Sequence, residues 1–258
     1  MDDQKNVVVT GASGGIGRAI ASVLGEAGWH VLLASRNVDG LEETARRIRD
    51  AQGTADVFAV DVSEEDSVDR FAADLRTRGA EVHALVNNSG IAGPSKPLWE
   101  VEPSQWDETM DVNLRGVYLC CRAFVPQMVA RGAGAVVNVG SVAGKNPLVH
   151  RSPYAASKAG LIGLTKTLAT DAGPSGVRAN LVSPGAVGGE RLDWVAAARA
   201  KATGLPEAEI RAAAARDAAL KRFTEASEVA EAVRFLLSDE SSGITGIDLT
   251  VAAGYVMN

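Results

Sequence analysis

Short apolar runs alternate with longer amphipathic ones from end to end of this chain. The runs Asn6–Val9, His30–Ala34, Asp56–Val60, Ala84–Asn87, Ala135–Val139, Arg178–Val182 and Asp248–Val251 are rich in Val, Leu and Ala with little polar alternation. That pattern predicts strands buried on both faces. Between them, helical patterns fall near Ile16–Ala27, Gly40–Ala51, Glu65–Arg78, Ser104–Arg131, Ser152–Ala172 and Ala226–Leu237. Repeated strand–helix units predict an α/β fold, a doubly wound parallel sheet of about seven strands with helices on both faces. No linker, low-complexity tract or repeat divides the pattern, so one domain is expected over residues 1–258. Residues Gly188 to Arg222 break the rhythm with extra helical sequence rich in Ala, Arg and Glu. The segment leaves the carboxyl end of a strand, where ligands bind in such folds, and reads as a substrate lid; a solvated helical hairpin is the alternative.

The first strand runs into Thr10-Gly11-Ala12-Ser13-Gly14-Gly15-Ile16-Gly17, which opens the first helix. Glycines let backbone approach a pyrophosphate closely, and a helix N-terminus offers unpaired N–H groups and a positive dipole end. The spacing between the first two glycines is one residue longer than in the common G-x-G-x-x-G fingerprint. Gly11, Ser13, Gly14, Gly15, Ile16 and Gly17 are thus candidate dinucleotide contacts.

Composition narrows the function. A net charge of −6 argues against a general nucleic-acid or anionic-membrane surface. No apolar span reaches transmembrane length, and the N-terminus has no signal-peptide pattern. Cys120 and Cys121 are adjacent and make a poor structural disulfide, which suggests thiols in a reducing cytoplasm. The three histidines, His30, His83 and His150, are scattered, so no metal site is expected.

Tyr154 and Lys158 stand four apart at the start of a predicted helix and share a face. An unperturbed phenol titrates near ~10, too high for an efficient proton shuttle at neutral pH, and a neighbouring ammonium favours the phenolate. Ser141 follows a strand at the sheet's carboxyl edge, where its hydroxyl can donate to a carbonyl oxygen as charge develops there. A surface Tyr/Lys pair and a turn serine are the plainer readings of each alone.

Together with the glycine loop, these residues resemble the short-chain dehydrogenase/reductase family over essentially the full length. Asn87-Asn88-Ser89-Gly90 is similar to its N-N-A-G, Asn113 to its asparagine, and Pro184-Gly185 to its turn after the sixth strand. The resemblance implies a Rossmann-like single-domain fold and assigns roles. Tyr154 gives the proton, Ser141 polarises the carbonyl, Lys158 binds the nicotinamide ribose and tunes Tyr154, and Asn113 holds a relay water. Asp61 and Val62 would contact the adenine. Asn88, Ser89 and Gly90 would line the adenosine side, with Asn87 tying strands together. Pro184, Gly185 and Val187 would border the nicotinamide. Ser89 in place of alanine, Gly189 in place of a common threonine, and Ala252-Ala253-Gly254 in place of an acidic-Gly-Gly turn depart from the pattern.

Cofactor and substrate are partly legible. The second strand ends in Ala34-Ser35-Arg36 where NAD-specific members usually carry an acid. Arg36 suits a 2′-phosphate, with Ser35 adding a hydroxyl, so NADP(H) is favoured and NAD(H) remains open. Val142, Ala143, His150, Arg191 and Trp194 are candidate substrate contacts, and Arg151 or Arg191 could meet an anion. The sequence around Pro184–Arg191 resembles the 3-oxoacyl-carrier-protein-reductase-like branch. The function expected is NADPH-dependent reduction of a small-molecule ketone. NAD-dependent oxidation of a secondary alcohol or polyol, and a non-catalytic NADP-binding regulator, are the alternatives. Apolar runs Val117–Cys121 and Leu161–Leu164, on helices the family uses for pairing, suggest a homotetramer.

Overall fold

Seven parallel strands form one sheet, in a computed structural model that describes residues 4–146, 148–189 and 205–257. The strands are β1 (Asn6–Thr10), β2 (His30–Ser35), β3 (Thr54–Ala59), β4 (Val82–Asn87), β5 (Gly134–Val139), β6 (Val177–Pro184) and β7 (Asp248–Val251), in the order β3-β2-β1-β4-β5-β6-β7. The order reverses between β1 and β4. That switch point opens a crevice at the carboxyl ends of the strands, where such sheets bind ligands.

Both faces of the sheet are buried because each strand is apolar on both sides. Val7, Val9, Val31, Leu33 and Val86 face one core layer with α1 (Gly15–Glu26), α2 (Val38–Asp50) and α8 (Ala226–Leu237). Val8, Leu32, Leu85 and Val136 face the other, with α3 (Glu65–Thr77), α5 (Gly116–Arg131) and α6 (Ser152–Ala172), where Phe71 lies 4.8 Å from Phe58 and 5.4 Å from Phe124. The described part of the 188–222 segment contains α7 (Glu207–Ala215); residues 190–204 lie outside the described residues.

One predicted element is divided. The run Ser104–Arg131 is α4 (Pro103–Met110), a π-helical turn (Asp111–Arg115) and α5. Wide turns of this kind are often found at functional sites. Here the turn carries Asn113 fully buried onto the backbone of Ile91, with a hydrogen bond of 2.8 Å from Ile91 N and one of 3.0 Å to Ile91 O. Just after it, a Cβ on Gly116 would stand 2.9 Å from Val62 Cγ2, so a small residue is needed there. Periodicity alone does not show such an insertion.

A polar thread crosses the second core layer. Asn87 Nδ2 donates to Asn138 Oδ1 at 2.9 Å, and Asn138 Nδ2 donates to Thr165 Oγ1 at 2.9 Å. Asn87 thus ties β4 to β5, as expected, and Asn138 ties both to α6. All three are buried, so deleting the middle residue strands its neighbours. Asn138→Ala is expected to lower stability by about 2–3 kcal/mol in urea unfolding; a loss below about 0.5 kcal/mol would contradict the role given to the thread.

Candidate active site

The glycine loop has one tight side and one open side. Gly11 adopts φ +66°, and a Cβ there would stand 2.9 Å from both Asn88 Nδ2 and Ser89 Cα. A Cβ on Gly17 would lie 2.1 Å from the Gly11 carbonyl oxygen. These glycines let the first turn of α1 press against the loop and the end of β4. Gly14 and Gly15, by contrast, would point a Cβ into open space. Gly14 caps α1 in an extended conformation without a side-chain hydrogen bond, and Gly15 sits at φ +52°. Beside the first turn, therefore, no atom of the described residues lies within 4 Å of a Cβ built on Gly14 or Gly15, and this open approach to the helix N-terminus fits a pyrophosphate.

Bracing residues were not anticipated from sequence. Asn88 Nδ2 donates to the carbonyls of Thr10 (3.1 Å) and Gly11 (3.2 Å). Arg18 donates to Ser13 O at 2.5 Å and to Thr44 Oγ1 at 3.0 Å, while Thr44 donates to Ala12 O at 2.8 Å. The loop's outer carbonyls are thus satisfied from α1 and α2. Only the sequence spacing of Arg18 after the last glycine offered a signal.

At the adenosine end, Arg36 is exposed and lies 3.5 Å from Asp61 Oδ2. Burial works against the Asp61 charge, but bonds from the Ser63 hydroxyl and N–H, with Arg36 alongside, outweigh it and hold the carboxyl below its usual range. Ser35 is buried, and its hydroxyl is engaged with Asn37 N (3.1 Å) and Asn37 O (3.3 Å). The Ser35 hydroxyl therefore shapes the turn that follows β2. Val62 is buried beneath Asp61, Ser89 is half-buried, and Gly90 is exposed.

The centre of the site is a buried cation. Lys158 is 5% exposed, and its Nζ donates to the Val139 carbonyl at 2.9 Å. No carboxylate pairs with it among the described residues, and burial pushes its ammonium down to about 8. A Cβ on Gly90 would stand 3.6 Å from this Nζ, so Gly90 leaves room above the ammonium. The half-buried ring of Tyr154 lies with its centroid 5.8 Å from Lys158 Nζ. Ser157 Oγ donates to Tyr154 O at 2.8 Å and accepts from Asn113 Nδ2 at 3.1 Å. Both Nδ2 hydrogens of Asn113 are thereby used, one on Ile91 O and one on Ser157 Oγ.

Ser141 ends the strand extension of β5 and starts a 3-10 turn, Val142–Gly144. Its Oγ accepts from Ala143 N at 3.1 Å. It is a capping serine, and that bond uses a lone pair while leaving the hydroxyl proton to be donated elsewhere. Gly144 brings the turn onto α6: a Cβ there would be 2.8 Å from the carbonyl carbon and oxygen of Lys158. Val142 and Ala143 are buried, with Val142 in a small apolar cluster with Ala252 and Val256. Both residues thus belong to the packing of the turn that follows Ser141.

On the far wall, Pro184 ends β6, and Gly185 N donates to Val251 O at 2.9 Å. A Cβ on Gly185 would meet the Ala252 Cβ at 2.8 Å. Val187 is bridged to Thr224. His150 is exposed at φ +61° on the turn before α6. Arg191 and Trp194 lie outside the described residues.

Known proteins are similar to this chain over nearly its whole length. A family model described as Enoyl-(Acyl carrier protein) reductase matches residues 11–256. A cis-4-hydroxycyclohexanecarboxylate dehydrogenase of Sinomonas cyclohexanicum is 38% identical over 256 residues, covering 98% of this chain and 96% of that protein. A crystal structure of an actinorhodin polyketide ketoreductase variant with NADPH superposes at a TM-score of 0.92 with 31% identity, covering 99% of this chain and 98% of that one. An NAD+-bound xylitol dehydrogenase superposes at 0.90 with 28% identity, covering 98% and 100%. The chain belongs to the short-chain dehydrogenase/reductase family and is an NAD(P)-dependent oxidoreductase.

Burying Lys158 makes stability depend on pH. Its folded midpoint, about 8, lies below the ordinary lysine value of 10.5. Between the two, the unfolded chain holds a proton that the folded chain has released, so stability rises with pH across that window; below about 8 the penalty is fully present. The wild type should therefore gain stability relative to Lys158→Met as pH rises from about 8 to about 10. A stability difference that stays flat over this range in denaturant titrations would contradict the buried, unpaired charge.

Proposed function

We propose that the chain reduces a ketone to a secondary alcohol with NADPH. The observation that carries this is the buried, carboxylate-free Lys158 ammonium beside the Tyr154 ring, with the Ser141 turn packed on the same helix. When bound, the nicotinamide supplies a hydride to the carbonyl carbon. Tyr154 gives its phenolic proton to the carbonyl oxygen, and Ser141 donates a hydrogen bond to the same oxygen as charge builds there. Lys158 stabilises the phenolate left behind and takes the ribose hydroxyls with the N–H bonds that Val139 does not use. The Asn113 main chain would hold the water that returns a proton to this pair.

The N–H groups around Gly14, Gly15 and Ile16 would hold the pyrophosphate. Asp61 and Val62 would meet the adenine, Asn88, Ser89 and Gly90 its sugar, and Pro184, Gly185 and Val187 the nicotinamide. The choice of NADP(H) rests on Arg36, an exposed guanidinium at the end of β2 that can turn from Asp61 to a 2′-phosphate. Oxidation of a secondary alcohol with NAD is the second reading. It is favoured by the 38%-identical relative, which is named a dehydrogenase, and by the Arg36–Asp61 contact, which already occupies the guanidinium. The segment around α7 is read as the lid. Exposed Tyr118 and Val129 on α5 support pairing of this helix in a homotetramer.

Two variants test these assignments. Tyr154→Phe keeps the ring but has no proton to give, so kcat is expected to fall at least about 100-fold while NADPH still binds; a variant retaining most of its rate would refute the proton donor. Arg36→Asp removes the phosphate partner and places an acid near the 2′ position. The ratio of NADPH to NADH affinity, read by fluorescence titration, should drop by roughly tenfold or more. An unchanged ratio would remove Arg36 from cofactor choice.

A further inference from the structure

We propose that Lys145 is a positioning residue for the reaction: its ion pair with Asp248 ties the Ser141 turn to β7 and so sets where the Ser141 hydroxyl stands relative to the nicotinamide. The proposal rests on the role given to Ser141 above. Lys145 directly follows the 3-10 turn Val142–Gly144. Its Nζ lies 2.9 Å from Asp248 Oδ2 and donates to Thr250 Oγ1 at 2.7 Å. Asp248 and Thr250 are two apart on a strand, so β7 presents both to the ammonium from one face.

The pair is enclosed, with side chains 17% and 12% exposed. Arg78–Asp74 and Arg222–Glu228, by contrast, lie in solvent, where an ion pair contributes little. Both carboxylate oxygens of Asp248 are buried, and neither meets an aligned hydrogen-bond donor among the described residues. The Lys145 ammonium is therefore the charge that compensates this acid, and the acid fixes where the ammonium can sit. Such a pair gains little stability over apolar residues of similar volume, so what it contributes is one fixed geometry.

That geometry reaches Ser141 through a short, closed turn. Lys145 N donates to Val142 O at 3.0 Å, and Gly144 N donates to Ser141 O at 3.0 Å. Ala143 N donates to Ser141 Oγ at the head of the same turn. Val142 packs on Ala252 and Val256 just beyond β7, but an apolar contact is not directional, whereas the ion pair sets register. The same strand anchors the opposite wall of the cleft. Val251 O, one residue beyond Thr250, accepts from Gly185 N at 2.9 Å. One strand thus holds both the turn with the Ser141 hydroxyl and the Pro184–Gly185 turn proposed to border the nicotinamide. The spacing between the group that polarises the carbonyl and the hydride donor is set across β7, with Lys145 as the link on the Ser141 side.

The rate of hydride transfer tests the proposal. Single turnovers, with enzyme in excess over the nicotinamide and the second substrate saturating, are followed by nicotinamide absorbance. The reaction used is the fastest of cyclohexanone with NADPH, ethyl 3-oxobutanoate with NADPH, and cyclohexanol with NAD+. Lys145→Met strands the Asp248 carboxylate; if it does not fold, Lys145→Met/Asp248→Leu, which removes both charges together, carries the test. Either variant should slow the step roughly tenfold or more, with cofactor affinity, read by fluorescence titration, unchanged. In a Ser141→Ala background the same change should slow it no further, because the group it positions is already gone. An unchanged rate, a matching loss of cofactor affinity, or an equal slowing in both backgrounds would overturn the proposal. A chain that turns over none of the three pairs would instead overturn the reaction proposed for Tyr154 and Ser141, and the role of Lys145 with it.

Discussion

The hydrogen bond from the Lys158 ammonium to the Val139 carbonyl, 2.9 Å long and cut off from water, is the constraint around which the site is organised. A cation placed in a protein interior without a carboxylate is costly, and burial alone drives this one down to about 8. The fold holds it there from several sides. Gly144 lets the Ser141 turn lie against the Lys158 carbonyl, Gly90 leaves space beside Nζ, and the Asn113–Ser157 bonds fix the first turn of α6. A carboxylate partner would ease the burial, but it would also neutralise the charge that the proposed mechanism assigns to Tyr154 and a ribose.

The glycine loop applies the same logic to backbone. Gly11 and Gly17 are needed because backbone touches backbone there, and a single methyl group would collide. Gly14 and Gly15 differ, since a Cβ on either would meet no atom within 4 Å, and that open space is where the proposed pyrophosphate would lie. Arg18, Thr44 and Asn88 then satisfy the loop's carbonyls, so the N–H groups of the first turn remain as its unfilled capacity. In the proposed mechanism, anion binding at one end of the cleft and proton transfer at the other both use groups without a charged partner among the described residues.

Much of this was legible in the sequence. Two-sided apolar runs gave seven strands and their parallel packing, because burial on both faces excludes polar alternation. Ser141, Tyr154 and Lys158 were named from their spacing, and the structure sets Lys158 Nζ 5.8 Å from the Tyr154 ring with the turn after Ser141 packed on the Lys158 carbonyl. What failed to show was local and three-dimensional. The π-helical turn at Asp111–Arg115 interrupts a helix whose apolar periodicity looks continuous, since one extra residue barely disturbs it. The Ser35 hydroxyl bonds to Asn37, and Val142 packs against Ala252 and Val256; neither contact has a sequence signature. The bracing role of Arg18 shows only in its partners, the Ser13 carbonyl and the Thr44 hydroxyl.

The central claim is that Lys158 is a buried ammonium with no carboxylate partner among the described residues, and nuclear magnetic resonance tests it most directly. With 13Cε-labelled lysine, the Lys158 resonance, assigned by its loss in Lys158→Met, can be followed from pH 6 to 11 in the cofactor-free protein. The account requires a midpoint near 8, well below those of the exposed lysines. A midpoint at the ordinary lysine value of about 10.5 would contradict it, and with it the idea that the fold stores an uncompensated charge for the reaction.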